Sequence, residues 1–195
     1  MAAAPAALPE VILVGRLQAG AILRSPLAGS RIRHVISIGD PPPWDKLPEG
    51  FDAHPARKLR LVFHDLERPD SGLGHTGCSR EDVERLVEFC RGLAAGEAAL
   101  VHCEAGICRS SAAALVALAV ALGAGHEAAA VEALLVAERA SAAAGHRFPY
   151  DRILPNRRVV GLADQLLGRA GRLLGVCQAA FSGRYGEPLD PAALA

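Results

Sequence analysis

Residues 101–110 read Val-His-Cys-Glu-Ala-Gly-Ile-Cys-Arg-Ser, and both fold and chemistry work outward from them. A short apolar run over 98–101 delivers His102 and Cys103, and an alanine-rich run follows Arg109 and Ser110. Cys103 is therefore predicted at the end of a strand, with the loop 104–109 opening a helix. Backbone N–H groups at a helix N-terminus, backed by its dipole, suit a dianion. The same field favours thiolate over thiol at Cys103. Arg109 adds a planar fork of donors that fits two phosphate oxygens at once. A thiolate under an anion cradle closed by a bidentate arginine points to attack on a phosphoryl group.

The Cys-x5-Arg spacing of Cys103 and Arg109, with His102 before it, Gly106 inside it and Ser110 after it, resembles the signature of the cysteine-dependent protein tyrosine phosphatases, dual-specificity branch included. Downstream, Leu154-Pro155-Asn156-Arg157-Arg158 and the stretch from Leu162-Ala163-Asp164 to Leu167-Gly168-Arg169 resemble a bacterial family of predicted tyrosine phosphatases. The resemblance covers roughly residues 32–172. It implies that Cys103 attacks phosphorus in line, while Arg109 and the backbone N–H groups of Glu104, Ala105, Gly106, Ile107, Cys108 and Arg109 hold the equatorial oxygens. Ser110 would then stabilise the sulfur as a leaving group. It implies no metal and no other cofactor. His102 is expected to orient the loop through hydrogen bonds, and Gly106 to let backbone approach phosphate.

An aspartate must protonate the leaving oxygen in such a scheme. Asp65, directly after a strand in Phe63-His64-Asp65, is preferred; Asp70 is the alternative, nearer the dual-specificity spacing to Cys103. Asp40, before a proline run, is expected to start a turn. Cys108 admits two readings, a small space-filler or a resolving thiol for oxidised Cys103, and the first is preferred. Asn156 reads as an N-cap, while Arg157 and Arg158 read as substrate-recruiting groups or as a solvated face.

The 195 residues, 51% hydrophobic, can bury one full core. With 21 basic and 21 acidic residues there is no net charge to draw nucleic acid or an anionic membrane. The longest apolar run, 112–122, is short of the about 20 residues a bilayer needs and reads as a core helix. Five cysteines without metal spacing suit a reducing, cytoplasmic setting. The expected partner is a phosphorylated protein or another phosphomonoester; oligomeric state stays open.

Strands are predicted over 11–14, 34–38, 58–63 and 98–102, and helices over 19–27, 79–91, 110–122, 127–140 and once or twice between 155 and 181. Ser79 with Asp82 approximates a capping box. Trp44, in a proline-rich loop, reads either as rim or as packed beneath that loop. Strands alternating with helices predict an α/β fold with a central, mostly parallel sheet, its active-site loops at the carboxyl ends of the strands. The expected organisation is a disordered leader over 1–10, one phosphatase-like domain over 11–181 and a tail over 182–195.

Overall fold

The structure is a computed structural model, and it describes residues 8–68, 74–146 and 152–189. Four strands, β1 (Glu10–Gly15), β2 (Ile32–Gly39), β3 (Arg57–Val62) and β4 (Ala98–Cys103), form one sheet. Its order is β1-β4-β2-β3 and every pairing is parallel. The α/β architecture expected from the alternating pattern is therefore the one observed. Because the strands run the same way, Gly15, Gly39, Val62 and Cys103 end at one edge of the sheet. The segments that follow them, from Arg16, Asp40, Phe63 and Glu104, share that edge.

Helix α1 (Arg16–Arg24) covers one face, and α2 (Arg80–Arg91), α3 (Arg109–Leu122), α4 (Glu127–Ala143), α5 (Arg157–Leu166) and α6 (Arg172–Ala180) gather on the other. Side chains alternate between the two cores as strand geometry requires: Ala98 and Leu100 pack toward α1, Val101 and Cys103 toward α3. Helix α3 is buried from Arg109 through Ala119. Its alanines carry no bulk, so it lies close against the sheet with α2, α4 and α5 around it. That fixes its N-terminus behind the 104–108 loop.

Helix α1 starts earlier than the predicted 19–27 and stops at Arg24. Pro26 accounts for the end, since it pushes Ser25 into the extended region, observed at φ −75° and ψ 120°. The capping box is formed: Asp82 N–H donates to Ser79 Oγ at 3.1 Å and Ser79 N–H to Asp82 Oδ2 at 2.9 Å.

Residues 182–189, assigned above to a tail, lie against the domain. The Tyr185 hydroxyl donates to the Pro155 carbonyl, Arg184 donates to the Ile153 carbonyl at 2.8 Å, and Leu189 is buried. Both Arg157 and Arg158 are buried, which corrects their reading as a solvated face or as substrate-recruiting groups. Arg157 pairs with Glu67 and stacks on the Tyr185 ring at 4.5 Å, and Arg158 donates to the Cys78 carbonyl at 2.9 Å.

Asp164 is buried at the end of α5 and accepts three backbone N–H groups, from Gly171 at 2.6 Å, Leu173 at 2.7 Å and Leu174 at 3.1 Å. These are the unpaired donors at the start of α6. Asp164→Ala is expected to lower the unfolding free energy by about 2 kcal/mol, read by urea denaturation, because it strands those donors in a buried place. A change within experimental scatter would mean that water replaces the carboxylate.

Candidate active site

Strand β4 carries Cys103 to the active edge and buries it to 2% exposure at the floor of the loop. Gly106 N–H donates to Cys103 Sγ at 3.2 Å, and Ser110 Oγ lies 3.4 Å from the same sulfur. Both groups are within hydrogen-bond reach of the sulfur.

The loop around that sulfur is shaped by what holds its carbonyls. Arg16 N–H donates to the Glu104 carbonyl at 3.1 Å. Leu154 N–H and the Ser111 hydroxyl donate to Ile107, and Asn156 N–H at 3.1 Å and Ala112 N–H at 3.0 Å to Cys108. A trans peptide points its N–H opposite to its C=O. Tying these carbonyls outward turns the N–H groups of Ala105, Cys108 and Arg109 inward, toward the place where Gly106 N–H meets sulfur. Among the described residues, the N–H groups of Ala105, Ile107 and Cys108 have no acceptor. Arg16, Ser111 and the 154–156 segment were not singled out for this role in the sequence; nothing in their local pattern signals it.

Gly106 is required by the backbone packed around it. Its φ of +77° favours glycine, and a Cβ there would stand 2.5 Å from the Val14 carbonyl carbon and 2.6 Å from Gly15 N. The close approach seen is to the end of β1.

His102 is fully buried, and its Nδ1 reaches only the Cys103 carbonyl, at 3.4 Å. Burial pushes its pKa down to about 4, so the ring is neutral near pH 7.

Arg109 opens α3 at 5% exposure. Nη1 and Nη2 donate to Asp40 Oδ1 and Oδ2 at 2.8 and 3.3 Å, and Nη1 also donates to the Phe63 carbonyl at 2.8 Å. Asp40 is thus the arginine's partner and not merely a turn former. The end of the guanidinium is occupied, and its Nε has no hydrogen-bond partner among the described residues. Asp65 Oδ2 stands 3.8 Å from Nε.

Asp65 is brought to the loop as expected. Asn156 Nδ2 donates to its Oδ1 at 2.8 Å and to the Leu66 carbonyl at 3.2 Å, while Asn156 Oδ1 accepts from Val159 N–H as the cap of α5. Asp70 lies outside the described residues. Trp44 is on the rim at 68% exposure, lining with Asp40, Lys46, His64, His75 and Glu104 a depression of about 400 Å³. A second hollow of about 290 Å³ has Asp65, Cys108 and Asn156 in its wall.

No protein-family model matches the chain, and no curated protein matches it. Among solved structures, it is similar to the crystal structure of PTPMT1 in complex with PI(5)P, at 17% identity and TM-score 0.45, over 82% of this chain and 94% of that one. It is also similar to human DUSP28, at 17% identity and TM-score 0.43, over 91% of this chain and 96% of that one. At these values neither likeness speaks to chemistry; the residues at the strand ends do.

The Cys108 thiol is pushed up to about 12 by burial and by the nearby Asp65 carboxylate. Cys108 is thus a neutral thiol near Asp65. In a Cys103→Ser background, iodoacetamide at pH 8 is expected to label Cys108 at least about a hundredfold more slowly than a free cysteine. Labelling at the free rate, read by mass spectrometry, would show that the thiol is not held this way.

Proposed function

We propose that the chain is a metal-independent phosphomonoesterase of the cysteine-dependent phosphatase type, acting through a phosphocysteine intermediate. The observation that carries this reading is a sulfur receiving Gly106 N–H at the floor of a loop whose carbonyls are tied outward, beside an arginine whose Nε–H makes no hydrogen bond among the described residues. The sequence resemblance to that superfamily points the same way. Cys103, Arg109, Asp65 and Ser110 take the roles described, with the loop 104–109 as the phosphate cradle.

In the first step Cys103 Sγ attacks phosphorus in line and the P–O bond to the leaving group breaks. Asp65 gives its proton to the departing oxygen. Arg109 offers its Nε edge to the phosphoryl oxygens, oriented by Asp40 and the Phe63 carbonyl. Water, deprotonated by Asp65, then attacks phosphorus, and the P–S bond breaks with the sulfur returned as thiolate to Gly106 N–H and the Ser110 hydroxyl. Such loose transition states depend on positioning and charge more than on covalent help.

The preferred substrate is a phosphotyrosine or dual-specificity protein substrate, in the cytoplasm; the five free cysteines suit reducing surroundings. Among the described residues no helix is long and apolar enough to cross a membrane. A non-protein phosphoester is the second reading of the same site. The loop 104–108 contains neither lysine nor arginine, which disfavours a polyphosphorylated head group.

Cys103→Ser is expected to abolish hydrolysis of p-nitrophenyl phosphate, which the parent performs with inhibition by orthovanadate and not by EDTA. Full turnover by the serine variant would overturn the assignment. Asp65→Asn should slow alkyl phosphates far more than activated aryl phosphates, whose leaving groups need little proton help. Equal slowing of both would remove Asp65 from proton transfer and turn attention to Asp70.

A further inference from the structure

Glu104 follows the candidate nucleophile directly, and its side chain is a carboxylate. A free negative charge there would oppose the dianion that the loop is built to hold. The structure disposes of it. Arg16 Nε donates to Glu104 Oε2 at 2.7 Å and Arg16 Nη2 to Oε1 at 3.1 Å, a bidentate pair across 88 residues. The same arginine's backbone N–H holds the Glu104 carbonyl. Its guanidinium side chain is only 20% exposed while that of Glu104 is half exposed, so the cation is the anchored partner.

The site of contact is the junction of β1 and α1, which the loop touches closely. A Cβ on Gly15 would stand 3.2 Å from the Glu104 carbonyl oxygen and 3.3 Å from that of Ala105. Both oxygens therefore face α1. By peptide planarity the N–H groups of Ala105 and Gly106 face away from it, and Gly106 N–H is found on Cys103 Sγ. Glu104 also borders the depression shared with Asp40 and Trp44. Released from Arg16, its carboxylate has that open space beside the loop to enter.

We propose that Arg16 is a positioning residue for the phosphate cradle: its guanidinium keeps the Glu104 carboxylate away from the anion, while its backbone N–H sets the first peptide of the loop. This rests on the phosphatase reading above. The two functions of Arg16 separate cleanly, because substitution of the side chain leaves the backbone donor in place.

The experiment compares orthovanadate inhibition and p-nitrophenyl phosphate kinetics in the parent, Arg16→Ala, Glu104→Gln and the double variant. Arg16→Ala is expected to weaken orthovanadate binding about tenfold, discounted for solvent screening, and to raise KM more than it lowers kcat. Added salt should shrink the defect. Glu104→Gln, introduced into the Arg16→Ala protein, should recover most of the loss, since it removes the charge and keeps the side-chain shape. If alanine disturbs the strand end, seen as a lowered melting temperature, Arg16→Gln carries the same expectation. Parental orthovanadate affinity in the Arg16 variant overturns the proposal, as does a loss that Glu104→Gln does not recover. A parent enzyme insensitive to orthovanadate overturns the phosphatase reading itself, so the two failures are distinct.

Discussion

The orientation of a few peptide units around Cys103 is the constraint on which the rest depends. A loop presents N–H groups to its centre only if the opposite ends of those peptides, the carbonyls, find donors outside. Here the donors come from three separate elements. The start of α1 supplies Arg16 N–H, the 154–156 segment supplies Leu154 and Asn156 N–H, and α3 supplies Ala112 N–H and the Ser111 hydroxyl. No local stretch of chain could do this alone. The loop takes its shape from the sheet edge, the central helix and the start of α5 together, so the site's rigidity is that of the whole domain.

Arg109 meets a second requirement. A cation at a helix N-terminus opposes the dipole, and burying it costs several kcal/mol unless it is paired. Asp40 and the Phe63 carbonyl, from the ends of β2 and β3, meet that cost at the end of the guanidinium. Parallel strands are what place both groups at the same edge as the helix start. What they leave without a hydrogen bond among the described residues is Nε, which faces Asp65 at 3.8 Å. An arginine held by its far end presents its remaining donors without a search through rotamers, and little entropy is then lost on binding an anion.

Much of this was legible in the sequence because it is local. The four strands, the α2 capping box at Ser79 and Asp82, and the buried α3 follow from periodicity and cap chemistry over a few residues. Cys103 and Arg109 were placed together by the strand–loop–helix pattern and their spacing, and Gly106 and Ser110 joined them through the family resemblance. What escaped depends on long separations. Asp40 meets Arg109 across 69 residues and Asn156 meets Asp65 across 91. Arg157 looks like surface until Tyr185 and Glu187 meet it, and Arg158 until the Cys78 carbonyl does. The contact of Gly106 with the end of β1 also escaped, since nothing local announces that the loop rests there.

Asn156 shows why such long-range choices still narrow to one residue type. Its Oδ1 accepts Val159 N–H to cap α5, its Nδ2 donates to Asp65 and to the Leu66 carbonyl, and its backbone N–H holds the Cys108 carbonyl. Serine, threonine or aspartate would cap the helix as well. Aspartate has no donor to give Asp65 and would set two carboxylates side by side. Serine and threonine have one rotatable hydroxyl, too short to cap the helix and bridge to two oxygens at once. Only an amide supplies an acceptor for the helix and two donors for the aspartate's side. The cap of α5, the position of Asp65 and the tilt of the Cys108 peptide are therefore one coupled setting. A change that loosens the helix start also moves the Asp65 carboxylate relative to the Cys103 sulfur.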